Sequence, residues 1–444
     1  MKQTTVYTTR GVGYLALGLV MVMFLFFSGC EELDFPNPNA PVFEDLPVQT
    51  LVTGIEAGMR TELAIYLRVV SIVGREAYYF EPADPRYTGE LLFATPDPGG
   101  FLLNRPWSAR YRVVRNCLFL QEKAAQELSG AAQAGANGFA KTIMAYQLLL
   151  NLNYTYNNGL QLDFSGSLQT DFASKEASFN FIANLLDEAA ADLNNAGDEF
   201  PFQLSDGFAG FDTPQTFRQF NRAIRARVAA YMAEFTGDWQ AVLNALAESF
   251  LDDSAPLNTD LGVYHIYGSG LGDQLNEIFE PTSNPFVKLN AHPSFGTDAE
   301  PGDLRFQSKV FQRPEAITFD NLTTDLQVAI TSTSTDPIPI IRNEELILLR
   351  AEANINLGNL TAAEADINLV REAAGLGPID INNPPQGTAI DQLLWERRYS
   401  LFMEGHRWID MRRYGKLNEL PIDRPATDAI LVQMPKPEAE IPGG

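Results

Sequence analysis

The sequence predicts a mainly α fold, built on paired helices with long irregular inserts between them. Three observations carry this expectation. Apolar residues recur at helical spacing through most of the chain beyond residue 46. Two distant segments read as related helix–turn–helix units. The stretches between the helical segments are rich in Gly, Pro, Asp, Ser and Thr, and they carry scattered aromatic residues.

The chain opens with Lys2 and Arg10, then runs from Gly11 to Phe27 without a charge and ends in Phe27-Ser28-Gly29-Cys30. A basic flank, a short apolar core and a small-small-Cys step read as a lipoprotein signal over residues 1–29, cleaved so that Cys30 takes the lipid. The uncharged run is short for a spanning helix, which needs about 20 residues. Residues 30–45 are acidic and rich in Pro and Asn, the composition of an extended tether.

Residues 46–444 are expected to form one unit. Helical periodicity runs over 46–73 and over 106–128, with Pro106 suited to a first helical turn. The stretch 139–156 is apolar nearly all round and should be buried. Residues 177–193 and 214–235 follow. In the first helix pair, FNRAIRARVAAYMAEF leads to Gly237-Asp238 and then WQAVLNALAESF. In the second, NEELILLRAEANINL leads to Gly358-Asn359 and then LTAAEADINLVREA. Aligning the two glycines also aligns Ala230 with Ala351 and Ala241 with Ala362. A Gly closing the first helix, and Ala on facing sides, is how tetratricopeptide-type pairs read. The irregular inserts are placed at 75–107, 157–173, 196–213 and 254–340.

Composition excludes several functions. With 56 acidic against 32 basic residues the full chain carries −24. Loss of the signal removes Lys2 and Arg10 and no acid, so the remainder is near −26. Such a surface is unsuited to nucleic acid or to anionic lipid through a basic face. Cys117 is the one thiol besides Cys30, so no disulfide framework is expected, and its apolar helical setting reads as an inert core thiol. His265, His292 and His406 are far apart, and no ligand-spaced cluster points to a metal or cofactor. Asp97, Asp252 and Asp253 read as solvated acidic loops rather than a calcium loop. No phosphate loop or nucleophile elbow occurs, so no catalytic role is expected.

The most distinctive stretch is Leu393 to Gly415, LLWERRYSLFMEGHRWIDMRRYG. As one helix it would bring Glu404 to Arg407 and Asp410 to Arg413. Paired charges on a buried helix more often fix packing than catalyse, and they are taken as scaffold. Glu396-Arg397, Glu404-Gly405-x-Arg407-Trp408, Asp410-Met411 and Arg413 resemble the C-terminal signature of the SusD/RagB family of outer-membrane nutrient-binding lipoproteins. Ser400 stands where that family usually has Glu, so one ion pair is expected to be missing. Arg350-Ala351-Glu352-Ala353, Asn368-x-x-Arg371 and Ala374-Gly375 resemble the family's helix pair.

The resemblance implies a lipid-anchored protein on the outer face of the outer membrane, capping a SusC-type TonB-dependent transporter and capturing a nutrient, often an oligosaccharide. Sugars stack on aromatic rings, so Tyr78, Tyr79, Phe80, Arg86, Tyr87 and Asn104 in the first insert, with Tyr264 and Tyr267 in the later one, are the expected ligand contacts. Each of these aromatics could equally pack beneath its own loop, and Trp107 is assigned to the core. A structural helical-repeat lipoprotein and a glycoside hydrolase are the alternatives. The second has no support from the mere abundance of carboxylates.

Overall fold

A computed structural model describes residues 46–165 and 171–440. The expected signal at 1–29, Cys30 and the tether at 30–45 lie outside the described residues, as does part of the 157–173 insert. Residues Pro47–Gly444 group into one compact unit.

The helix expected over 46–73 is two helices, α1 (Val48–Arg60) and α2 (Leu63–Val73). The break falls at Glu62, which adopts a left-handed φ of 58°. Buried Arg110 holds the break open by donating to the carbonyls of Met59 (2.8 Å) and Thr61, which α1 leaves without helical partners. After strand β1 (Ala77–Tyr79) comes α3 (Phe101–Glu127). It starts earlier than Pro106, so that proline sits inside the helix in its second turn rather than at its first. Next come α4 (Gly130–Thr155), the short strands β2 (Leu160–Gln161) and β3 (Phe172–Ala173), and α5 (Lys175–Asn195). Almost every residue of α4 from Gly135 onward is buried, as its all-round apolarity requires.

The first helix pair is α6 (Pro214–Thr236) and α7 (Gln240–Ala247). Thr213 opens α6 with a capping box and Gly237 closes it at φ 68°. Strands β4 (Gly262–His265) and β5 (Leu289–Ala291), helices α8 (Ser294–Thr297) and α9 (Leu304–Lys309), and strands β6 (Val310–Phe319), β7 (Leu322–Val328) and β8 (Ile338–Arg342) follow. The second pair is α10 (Asn343–Asn356) and α11 (Leu360–Ala373), and Gly358 takes φ 79° between them. Helices α12 (Ala389–Ser400) and α13 (Arg407–Arg413) end the helical part. Each of α3 to α7 packs on its predecessor, and α10 packs on α6, α7, α11 and α12. Ile347, Leu348, Ile367, Val370 and Leu393 form a core between α10, α11 and α12.

The 254–340 insert is more ordered than its composition suggests. Strands β1, β5, β7 and β6 form an antiparallel sheet in that order, with Tyr78 opposite Asn290 and Asn290 opposite Gln327. Strand β4 pairs with β8 across an irregular register at Val263/Tyr264. Arg75 ties the start of the chain to its end, donating to the carbonyls of Leu92 (3.2 Å), Pro421 (3.2 Å) and Ala429 (2.7 Å).

The signature stretch is not one helix. Residues 401–406 turn between α12 and α13, with Met403 at φ 65° and Gly405 at φ 85°. The expected Glu404–Arg407 pair therefore does not form. Glu404 instead accepts from Arg342 at 2.9 Å, and the turn points Arg407 elsewhere. Asp410 does meet Arg413 (2.9 Å) and also Arg397 (2.7 Å). Burial would raise the Asp410 carboxyl, but these two guanidiniums outweigh it and hold it well below the usual carboxylate range. Glu396 joins Arg305 (2.6 Å) and Arg371 (2.8 Å), while Arg413 also reaches Glu352 (2.7 Å). Ser400 accepts from Arg305 at 3.2 Å, so a neutral hydroxyl takes the guanidinium at this position. Trp408 is buried and donates to the carbonyl of Leu431 (2.7 Å). Lys309 and Arg342 both donate to the Ser400 carbonyl, so two cations close the C-terminal end of α12.

Candidate functional site

The first insert is closed. Strand pairing turns Tyr78 and Phe80 inward, where their rings stack at 5.5 Å, and the Tyr78 hydroxyl donates to Asp423 at 2.9 Å. Tyr79 and Tyr87 meet edge to face at 4.7 Å, with the Arg68 guanidinium 4.5 Å from the Tyr79 ring. All four side chains are buried, so they brace the sheet against the helices and present no ring face to a ligand. Arg86 is held by Asp84 (2.8 Å) over the Phe101 ring, and Asn104 sits half-buried on the first turn of α3. Trp107 and Cys117 are buried in the core, and burial pushes the Cys117 thiol far up.

Tyr264 and Tyr267 are half-buried and line two separate recesses. The first is a cleft of about 410 Å³ between α9, β8 and the 401–406 turn, walled by Pro339 and Phe402 and by Arg305, Lys309, Arg342, Glu344 and Glu404. Its charges are already occupied. Arg342 binds Glu344 and Glu404, Arg305 binds Asp303 (2.8 Å) and Glu396, and Lys309 donates to the carbonyls of Tyr399 (2.7 Å) and Ser400. Burial, helped by nearby Arg342, lowers the Lys309 amine to about 8. Burial pushes the Tyr264 hydroxyl up to about 12.

The second recess is a groove of about 510 Å³ where the end of α1, the start of α3 and the 266–277 loop meet. Tyr267 forms one wall, with Arg60, Gln274, Leu275 and Glu277 around it. Arg60 has no hydrogen-bond or ion-pair partner among the described residues, and the Glu277 carboxylate is exposed. At the rim Arg105 pairs with Glu62 at 2.6 Å. The Gln274 amide donates to the Ala57 carbonyl (3.0 Å), which fixes the loop against α1. Leu271 at the loop tip is fully exposed. One aromatic ring beside an unpartnered guanidinium and an exposed carboxylate is suited to a polyhydroxylated ligand.

Of the expected contacts, then, Tyr267 alone reaches this groove. Arg60, Arg105, Gln274 and Glu277 were not foreseen. The one local signal for them is the glycine-rich loop Gly268-Ser269-Gly270-Leu271-Gly272 beside Tyr267. Gly272 adopts φ 88°, and a Cβ on Gly268 would meet the Asp273 carboxylate at 2.4 Å. Among the described residues no group of three His, Cys, Asp or Glu is placed to hold a metal ion, and no helix is long and apolar enough to cross a membrane.

Residues 318–438 match the SusD family. A SusD-like protein of Formosa agariphila is 34% identical over 122 residues, which is 24% of this chain and 24% of that relative's length. Solved structures cover far more. A SusD superfamily protein from Bacteroides thetaiotaomicron superimposes with a TM-score of 0.67 at 17% identity, covering 91% of this chain and 98% of that one. A laminarin-binding SusD-like protein gives 0.66 at 19% identity, with 88% and 96% covered. Surface glycan-binding protein A of B. thetaiotaomicron, solved with laminarihexaose, gives 0.65 at 13% identity, again with 88% and 96% covered. The match to the SusD family lies in residues 318–438, and across most of its length the chain has the mainly α fold of these SusD-like structures, built on tetratricopeptide-type helix pairs.

Proposed function

We propose that this protein is a cell-surface glycan-binding protein that captures an oligosaccharide in the Tyr267 groove. It acts as a binding protein rather than an enzyme. It is anchored to the outer membrane through lipid on Cys30, and it hands its ligand to a SusC-type TonB-dependent transporter. The observation that carries the reading is the pairing of the Tyr267 ring with uncommitted Arg60 and Glu277 in one open groove. Relatives of the same fold that bind laminarin and laminarihexaose support it. A sugar face would stack on Tyr267, and its hydroxyls would bond Arg60, Gln274 and Glu277.

Affinity electrophoresis against a panel of soluble glycans tests the reading. At least one glycan should retard the wild type, and Tyr267→Ala should weaken that binding at least tenfold, about 1.4 kcal/mol. A panel with no effect would remove the glycan assignment. Unchanged binding by Tyr267→Ala would move the site out of this groove. Co-purification of a β-barrel transporter from outer membranes tests the partnership, and purification of the protein alone would count against it.

A further inference from the structure

Arg407 is half-buried and has fewer partners than most of the chain's buried arginines. Arg227, Arg305, Arg342, Arg371, Arg397 and Arg413 each bind at least one carboxylate within 3 Å. Arg110 and Arg412 lack a carboxylate but each donates to two backbone carbonyls, Arg412 to those of Val432 and Asn153 at 3.0 Å. Arg407 makes a single long bond, 3.4 Å to the Leu394 carbonyl, and no ion pair among the described residues. A guanidinium carries five N–H donors, so most of its capacity is unused.

That capacity opens onto a pocket of about 150 Å³ between α12, α13 and residues 417–419, distinct from the Tyr264 and Tyr267 recesses. The volume is roughly ten times what one ordered water needs. Leu394, Trp395 and Met411 form its apolar walls, and Arg398 supplies a second cation. Arg398 is held in place by Asp298 (2.8 Å) and by the Ser294 hydroxyl (2.6 Å). The two guanidiniums repel each other, and burial followed by this repulsion lowers Arg407 to about 10.

Neighbouring acids do not answer that charge. Asp391 and Glu419 also line the pocket, but both are engaged by Lys416, at 2.8 and 2.7 Å. Glu76 acts on Arg407 from within the fold without pairing with it. Burial raises its carboxyl to about 8, which leaves it neutral at pH 7. Arg398 has Asp298 as its counter-charge, but Arg407 beside it has none within ion-pair distance among the described residues, and a planar guanidinium edge is shaped for an oxyanion.

We propose that this pocket is an anion site, taking a single carboxylate or phosphate group on Arg407 with Arg398 as the second charge. The inference does not depend on glycan binding. Isothermal titration of the full chain with phosphate, sulfate and acetate, each at constant ionic strength against chloride, tests it. Saturable one-site binding of at least one of them is expected, and which one binds separates a phosphate-type from a carboxylate-type ligand. Arg407→Gln should weaken that binding at least tenfold, and Arg398→Gln, which leaves Arg407 in place, several-fold. Because Arg407→Gln could unfold the chain, phosphorus NMR line broadening by wild type and by Arg398→Gln provides an independent reading of the phosphate arm. No saturable binding of any of the three, or equal affinity in a folded Arg407→Gln or Arg398→Gln variant, would overturn the proposal.

Discussion

The cleft at Tyr264 and the groove at Tyr267 begin three residues apart in sequence, yet they treat charge in opposite ways. In the cleft Arg305, Lys309 and Arg342 already have carboxylate or carbonyl partners. In the groove Arg60 is uncommitted and Glu277 faces solvent. Charges satisfied inside the chain hold helices together, whereas charges left open are available to a ligand. The contrast is energetic as well as geometric. Breaking a buried pair leaves a stranded charge, while removing an exposed one costs almost nothing.

The comparison can be broken by stability measurements. Arg397→Ala should have the largest effect, because it removes one of the two guanidiniums that neutralise buried Asp410 and leaves Arg413 alone against it. A loss of about 3–5 kcal/mol in urea unfolding is expected. Asp410 is held below its unfolded carboxyl, so its contribution is present above the ordinary carboxylate pKa and disappears as pH falls through and below it. Glu76→Gln should act in the opposite direction. Glu76 is raised to about 8, so in the wild type stability declines as pH climbs from the unfolded value near 4.5 toward 8. The glutamine variant should be more stable at pH 8, by on the order of 3 kcal/mol, and its melting profile should flatten over that window. A variant with an unaltered pH profile would remove Glu76 as a buried acid.

Smaller effects sharpen the picture. Gly405→Ala should cost about 1–2 kcal/mol, from its φ of 85°. The added Cβ itself meets Val70 and Leu67 at ordinary distances of 3.4 and 3.5 Å. Tyr267→Ala should change unfolding by less than about 1 kcal/mol while removing glycan affinity. Leu271→Ala, at a fully exposed loop tip, should stay within about 0.5 kcal/mol. If Tyr267→Ala destabilised as strongly as Arg397→Ala, the distinction between holding and binding charges would collapse.

Much of the scaffold was readable from sequence, because its signals are local. Gly237 and Gly358 mark the two helix pairs, and both take the left-handed conformation that a Gly after a helix suggests. What was not readable depends on distance along the chain. Glu404 pairs with Arg342, 62 residues away, and Arg305 with Glu396, 91 residues away, so the i,i+3 rule could not find them. The sheet joins Tyr78 to Asn290, which hid the burial of the first insert's aromatics. Tyr267 carried an aromatic signal, but Arg60, Gln274 and Glu277 are ordinary polar residues with no shared motif. Only the fold gathers them.

Arg75 bonds to Ala429 across 354 residues. A ribosome adds about 5–20 residues per second, so that contact waits roughly 20–70 s after Arg75 is made. Strand β1 likewise waits for β5. The early helices can form and pair as they emerge, but the sheet waits for the strand ending at Val328 and the clasp waits for Ala429. Contacts of such long range slow the final step of folding. The newborn chain therefore spends about half of its synthesis time with its first strand unpaired, and in that interval it is open to a chaperone and to a thread-like passage through a narrow channel.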